Sequence, residues 1–178
     1  MKKLKKSKTM IFIDGANLYY GTEEFKIKQK SEWNLDLLAL IRKINNKRIL
    51  GSVYYFLSMP RNPSAKKIKY RDFLRNNGIR VVEIPLHYPP KGKAREKGLD
   101  VALATRLIVK ALEEKFDTGI IISGDKDYLY AVKECRKRGL KIEVASFQSR
   151  LSLDLKKECD KCWIIDEFSN EIGQKKQP

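Results

Sequence analysis

The chain has one histidine, His87, and three cysteines, Cys135, Cys159 and Cys162, among its 178 residues. A single imidazole excludes acid–base catalysis by paired histidines. An odd number of cysteines without an export signal argues for reduced thiols and a cytoplasmic location. Cys159 and Cys162 form a C-x-x-C pair, but no second pair accompanies them. A structural zinc site therefore lacks ligands, and the two are read as packing residues beside Trp163. No apolar run approaches the roughly 18 to 20 residues a bilayer demands. The basic start MKKLKKSK is followed by an apolar stretch, Met10 to Ile13, that stops at Asp14, which is too short for a signal peptide. Neither a G-x-x-x-x-G-K-[ST] loop nor a G-x-G-x-x-G after a strand is present, which removes two common nucleotide-binding architectures. Internal repeats are also missing.

Acid is scarce relative to base: 38 lysines and arginines face 22 aspartates and glutamates, for a net charge of +16. Such a surplus favours a polyanionic partner, because released counterions add to the attraction of phosphates for cations. The plainer explanation is a lysine-rich surface of the kind ion-pair-rich thermophile proteins carry. An apolar share of 42% supports a packed domain. The expected organisation is a basic N-terminal extension over 1–8, a single domain over 9–168, and a frayed C-terminal tail over 169–178.

Thr9 to Ile13 reads as a buried strand delivering the polar loop DGAN. Leu35, Leu38, Ile41 and Ile44 mark a helix, Leu50 to Leu57 a strand, Ser64 to Asn77 a helix, and Ile79 to Ile84 a strand. Residues 85–98 lack apolar periodicity and read as a loop, the only long one after residue 33. A helix is expected over Leu99 to Lys115, a strand over Gly119 to Ile122, and a helix over Asp127 to Arg138, closed by Gly139. Leu140 to Ala145, Arg150 to Lys157 and Trp163 to Ile165 complete the pattern as strand, helix and strand. Alternation of this kind implies an α/β fold with a mainly parallel sheet flanked by helices. In such sheets the ligand crevice lies outside the carboxyl ends of the strands.

Acids stand at two of those ends: Asp14 after MIFI, and Asp125 with Asp127 after GIIIS. Asp100 opens the helix that leads into the second of these strands. Converging carboxylates repel one another unless some are protonated or a divalent cation neutralises them. Mg²⁺ or Mn²⁺ suits such an all-oxygen site. Each aspartate also has a structural reading as a turn residue or helix cap, and for any single one the two readings stand near even.

FIDGANL at 12–18, KGLDVALAT at 97–105 and SGDKDY at 123–128 resemble the signature blocks of NYN domains, a branch of the PIN-like nucleases that includes LabA-like proteins. The similarity runs in order from about Thr9 to Asp166 and takes in RGLKIEV and Asp160. It implies a PIN-like three-layer sandwich and a metal site of Asp14, Asp100, Asp125 and Asp127. It also implies that Asn17 orients the Asp14 loop or contacts a phosphate, and that Ser123 bonds a carboxylate or water. The implied activity is hydrolysis of RNA phosphodiesters. One position departs from the pattern: where relatives often carry another aspartate, this chain has Arg106, which would weaken metal binding or meet substrate phosphate.

The loop before Asp100 carries Lys91, Lys93, Arg95 and Lys97, with His87 and Tyr88 upstream, and Lys126 lies between the later acids. A cationic loop with an aromatic neighbour suits the backbone and bases of single-stranded RNA. The plain alternative is a solvated charge run. Arg61 to Lys69 would extend the basic track. The main competing function is an RNA-binding protein of the same fold without hydrolysis. A phosphatase using Asp14 fails because Ala16 occupies the place of its usual second aspartate. A toxin-like nuclease with a protein partner is left open, and a homodimer is plausible by analogy alone.

Overall fold

The computed structural model describes residues 7–30 and 32–175. Its strands are β1 (Lys8–Asp14), β2 (Trp33–Leu35), β3 (Ile49–Met59), β4 (Arg80–Pro85), β5 (Thr118–Ile122), β6 (Lys141–Ser146), β7 (Lys161–Ile164) and β8 (Gly173–Lys175). Its helices are α1 (Gly15–Gln29), α2 (Leu37–Asn45), α3 (Ala65–Asn76), α4 (Leu99–Leu112), α5 (Leu129–Lys137), α6 (Leu153–Glu158) and α7 (Ser169–Ile172). Six strands form one parallel sheet in the order β4-β3-β1-β5-β6-β7.

Period-two alternation sorts each strand between two cores. In β1, Ile11 and Ile13 face the side covered by α1, α2 and α3, where Leu18, Phe25, Leu40, Ile44 and Leu74 pack. Met10 and Phe12 face the other side, against Leu103 and Leu107 of α4, Val132 of α5 and Leu155 of α6. Because both faces are covered, the central strands are apolar almost throughout. Full burial of Leu103 or Leu107 is worth about 1.5 to 3 kcal/mol each. The result is the expected α/β sandwich of three layers.

The chain leaves β1 toward β3 and β4, then crosses back to add β5, β6 and β7 on the opposite side. This reversal of strand order puts the topological switch between β1 and β5, the place where sheets of this kind form a ligand crevice at their carboxyl ends. Register does the rest. Ile13 pairs with Ile122, so the next residues on the two strands, Asp14 and Ser123, emerge as neighbours.

Three regions differ from the sequence expectation, the first being Leu35, expected in a helix, which instead ends strand β2 while the helix begins at Leu37. Residues 15–29, which show no apolar stripe, form α1. The Asp14 side chain caps it by accepting the Asn17 N–H, and its buried face is Gly15, Leu18, Gly21, Thr22 and Phe25. Glycine and threonine occupy places where a larger apolar residue would announce a helix. At Gly21 a Cβ would lie 2.5 Å from the Phe147 ring, so the small residue permits the close approach. Of the tail expected to fray over 169–178, residues 169–175 instead form α7 and β8, which pairs antiparallel with β2, and 176–178 lie outside the described residues. Ile172 is fully buried, and Trp33 Nε1 donates to the Ser169 carbonyl at 3.2 Å. These contacts join the segment to the core. Of the N-terminal extension, residues 1–6 lie outside the described residues, and Lys8 opens β1.

Candidate active site

Asp14 is the centre of the crevice. Only 6% of its surface is exposed, and its carboxylate accepts from the Asn17 N–H at 2.9 Å, from Tyr128 OH at 2.9 Å and from Ser123 Oγ at 3.2 Å. Burial pushes its carboxyl above the usual range; these three donors partly oppose the shift and the charge of Glu96 adds to it. Desolvation therefore outweighs the hydrogen bonds.

Around Asp14 the backbone is locked. The Gly124 N–H donates to Asn17 Oδ1 at 3.2 Å, and the Asp125 N–H donates to Ser123 Oγ at 3.2 Å. A Cβ on Gly124 would lie 2.2 Å from the Arg150 carbonyl and 2.5 Å from Ser146 Oγ, so glycine is required where two loops cross. Asp125 then caps the short turn that follows by accepting the Asp127 N–H at 3.0 Å. Asn17 thus ties the start of α1 to Gly124, and Ser123 ties the Asp14 carboxylate to the Asp125 backbone.

Tyr128 had no role assigned from sequence. Its side chain is 1% exposed, and burial together with the charges of Asp14, Asp125 and Asp100 raises its pKa far above the ordinary value. The hydroxyl therefore keeps its proton and acts as a donor. Asp100, in the first turn of α4, is the last of the charges that raise this pKa. Glu96 is a second residue that sequence reasoning missed. It sits inside the basic loop, where its single negative charge carries no spacing signal.

None of Asp14, Glu96, Asp100, Asp125 or Asp127 forms an ion pair among the described residues. Uncompensated carboxylate oxygens suit a hard divalent cation. Yet no group of three acidic, histidine or cysteine side chains among the described residues is arranged to hold one. The four aspartates expected to share an ion are thus not gathered into a ready-made cage. Asp127 is exposed, whereas Asp100 and Asp125 are half-buried. The donor set fits an ion held by one or two carboxylates that keeps most of its water, which is the usual habit of Mg²⁺.

Lys91, Lys93, Arg95, Lys97 and Lys126 are all exposed, and among the described residues none is paired with an acid. The loop is pinched at its base, where His87 and Arg95 exchange backbone hydrogen bonds at 2.9 and 3.0 Å. Arg61 lies 5.0 Å from the Tyr88 ring centroid and its N–H donates to Tyr88 OH at 3.1 Å, which brings the two basic stretches together. Tyr88 therefore already carries a guanidinium.

Two other residues fall away from the crevice. Arg106, expected at the metal site or against substrate, stacks 5.4 Å from the centroid of Tyr54. It lies six residues along α4 from Asp100, about 9 Å by helical rise, and its charge acts on Glu113 farther along the chain. Asp160 accepts the Ile142 N–H at 2.8 Å and pairs with Arg136, at the opposite end of the sheet. Its work is structural.

The fold is an α/β sandwich with Asp14 at the carboxyl end of β1 and Asp125 just past the end of the neighbouring strand β5, at a topological switch. A family model for the NYN domain matches residues 8–166, and the chain belongs to that family, a branch of the PIN-like nucleases. No curated protein matches. Among solved structures, a Vibrio parahaemolyticus protein of unknown function, VPA0982, is similar over 98% of this chain and 100% of its own, with a TM-score of 0.80 and 22% identity. That likeness shows the fold. An Acinetobacter baumannii MurG gives a TM-score of 0.44 at 10% identity, over 89% of this chain and 41% of its own, and carries no argument. Among the described residues no helix is long and apolar enough to cross a membrane.

Proposed function

We propose that the protein is a Mg²⁺- or Mn²⁺-dependent ribonuclease that hydrolyses phosphodiester bonds of single-stranded RNA in the cytoplasm. The observation that carries this is Asp14: a buried carboxylate with three donors and no cation, beside Asp125 and the charges of Asp100 and Glu96. Burying such a charge costs stability, and a site that accepts this cost is a functional candidate.

One or two of Asp14, Asp100 and Asp125 would hold the ion, with the rest of its shell supplied by water and Asp127 at the outer margin. A bound divalent ion supplies charge neutralisation at the phosphate and a more acidic water. The chain's own residues set the stage for that chemistry. Tyr128 and Ser123 fix the orientation of the Asp14 carboxylate, and Asn17 holds Gly124 so that Asp125 faces the crevice. Lys91, Lys93, Arg95, Lys97 and Lys126 bind the flanking phosphates. Water adds to phosphorus as the bond to the leaving ribose oxygen breaks.

The lack of a preformed three-acid group among the described residues favours a second reading, an RNA-binding protein of this fold without hydrolysis. One experiment separates the two. Mn²⁺ or Mg²⁺ is expected to switch on cleavage of a mixed-sequence single-stranded RNA, and Asp14→Asn to abolish cleavage while binding persists. A wild-type chain that binds this RNA and never cuts it supports the second reading.

A further inference from the structure

Tyr19 and Tyr20 follow Leu18 in the second turn of α1, and they are 59% and 51% exposed. Their rings meet edge to face at 5.4 Å. The Arg150 guanidinium lies 5.3 Å from the Tyr20 centroid. Both sides of this arrangement are anchored to the crevice. Tyr20 lies three residues, about one helical turn, beyond Asn17 on α1, while the Arg150 carbonyl closes against Gly124. The tight approach of Gly21 to Phe147 holds α1 against the segment that carries Arg150.

The cation here is already spoken for. Glu24 accepts from Arg150 Nε at 3.2 Å and from Arg150 Nη2, and it also accepts from Ser149 Oγ at 2.8 Å. With its charge neutralised, Arg150 has little to offer a phosphate. What it keeps is a flat guanidinium, held in place beside the Tyr20 ring. Flat π surfaces with cations in register are what unpaired nucleobases stack on. The cations proposed to meet phosphate, Lys91, Lys93, Arg95, Lys97 and Lys126, form no ion pair among the described residues, so phosphate contacts and base contacts fall to different residues.

We propose that Tyr19, Tyr20 and Arg150 form a base-stacking platform that seats an unpaired base of the RNA next to the phosphate at Asp14. This rests on the ribonuclease reading and adds the reason for single-strand preference: a base inside a duplex has no free face to give.

The test uses the full chain and a set of short single-stranded RNAs carrying 2-aminopurine at each position in turn. Binding is measured with wild type in EDTA, and in the Asp14→Asn background with Mn²⁺, so that the strand stays intact. Wild type is expected to quench the probe at one or two positions. Tyr20→Ala and Tyr20→Leu are expected to lose that quenching and bind roughly 5- to 100-fold more weakly, whereas Tyr20→Trp keeps both. Leucine retains apolar bulk, so a packing role would survive it. Affinity for the same sequence as a duplex is expected to be unchanged in all three variants.

With the Asp14 intact and Mn²⁺ present, KM is expected to rise in Tyr20→Ala with little change in kcat. Unchanged quenching, affinity and KM in Tyr20→Ala and Tyr19→Ala that still cleave RNA would overturn the platform and leave the nuclease standing. A wild-type chain that binds none of these RNAs overturns both.

Discussion

Replacing Asp14 by asparagine is expected to stabilise the metal-free protein while abolishing cleavage. The carboxylate accepts three hydrogen bonds. A bond to a charged acceptor exceeds its neutral counterpart by about 1 kcal/mol, so about 3 kcal/mol favours the charge. Its raised pKa shows that desolvation is larger still. Asparagine keeps the helix cap through its Oδ1, and its amide donates to the Ser123 and Tyr128 oxygens, which accept as readily as they donate. The expected net gain is on the order of 1 kcal/mol, or about 2 to 4 °C in Tm for a chain of this size.

The pH dependence has a definite sign. Because the folded-state pKa of Asp14 is raised, the stability linked to its protonation is fully present below the ordinary value of 3.8 and is lost as pH rises through the raised value. The advantage of Asp14→Asn is therefore full at neutral pH and closes as the solution is acidified. Thermal denaturation in EDTA across this range measures it. Mn²⁺ at about a hundredfold above its Kd adds about 2.7 kcal/mol to the wild type and little to the variant. A lower Tm for Asp14→Asn in EDTA at neutral pH would refute the claim that this charge is held at a cost.

Four further outcomes are expected. Tyr128→Phe removes a donor from Asp14, so the Asp14 pKa rises further and the acid limb of the cleavage profile moves to higher pH; an unmoved limb refutes this. Arg106→Ala loses its stacking on Tyr54 and about 1 kcal/mol of stability, and a filter-binding assay should find RNA affinity intact. Replacing Lys91, Lys93 and Lys97 together by alanine should lower the slope of log affinity against log salt by about 2, at roughly 0.7 per phosphate contact. Ile172→Ala should cost about 2 to 5 kcal/mol in denaturant unfolding, since the side chain is fully buried, whereas a frayed tail would register no change.

The alternating strands and helices were legible because parallel strands buried on both faces leave continuous apolar runs, such as MIFI and GIII, and the flanking helices leave apolar stripes. Asp14 and Asp125 could be picked out because each follows such a run. Helix α1 was hidden because its contact face is built partly from glycine and threonine, whose value depends on how closely Phe147 approaches. The tail was hidden because β8 acquires order only by pairing with β2, more than a hundred residues earlier.

Residue identity by itself determined the fold class, the basic character and the family blocks, since each is written in local pattern or composition. Only tertiary structure decided which charges share an environment. Strand register set Asp14 beside Ser123, burial made Tyr128 a permanent donor, and the path of α4 took Arg106 to Tyr54. Electrostatic work depends on distance and solvent exposure, and neither is a property of a residue read one position at a time.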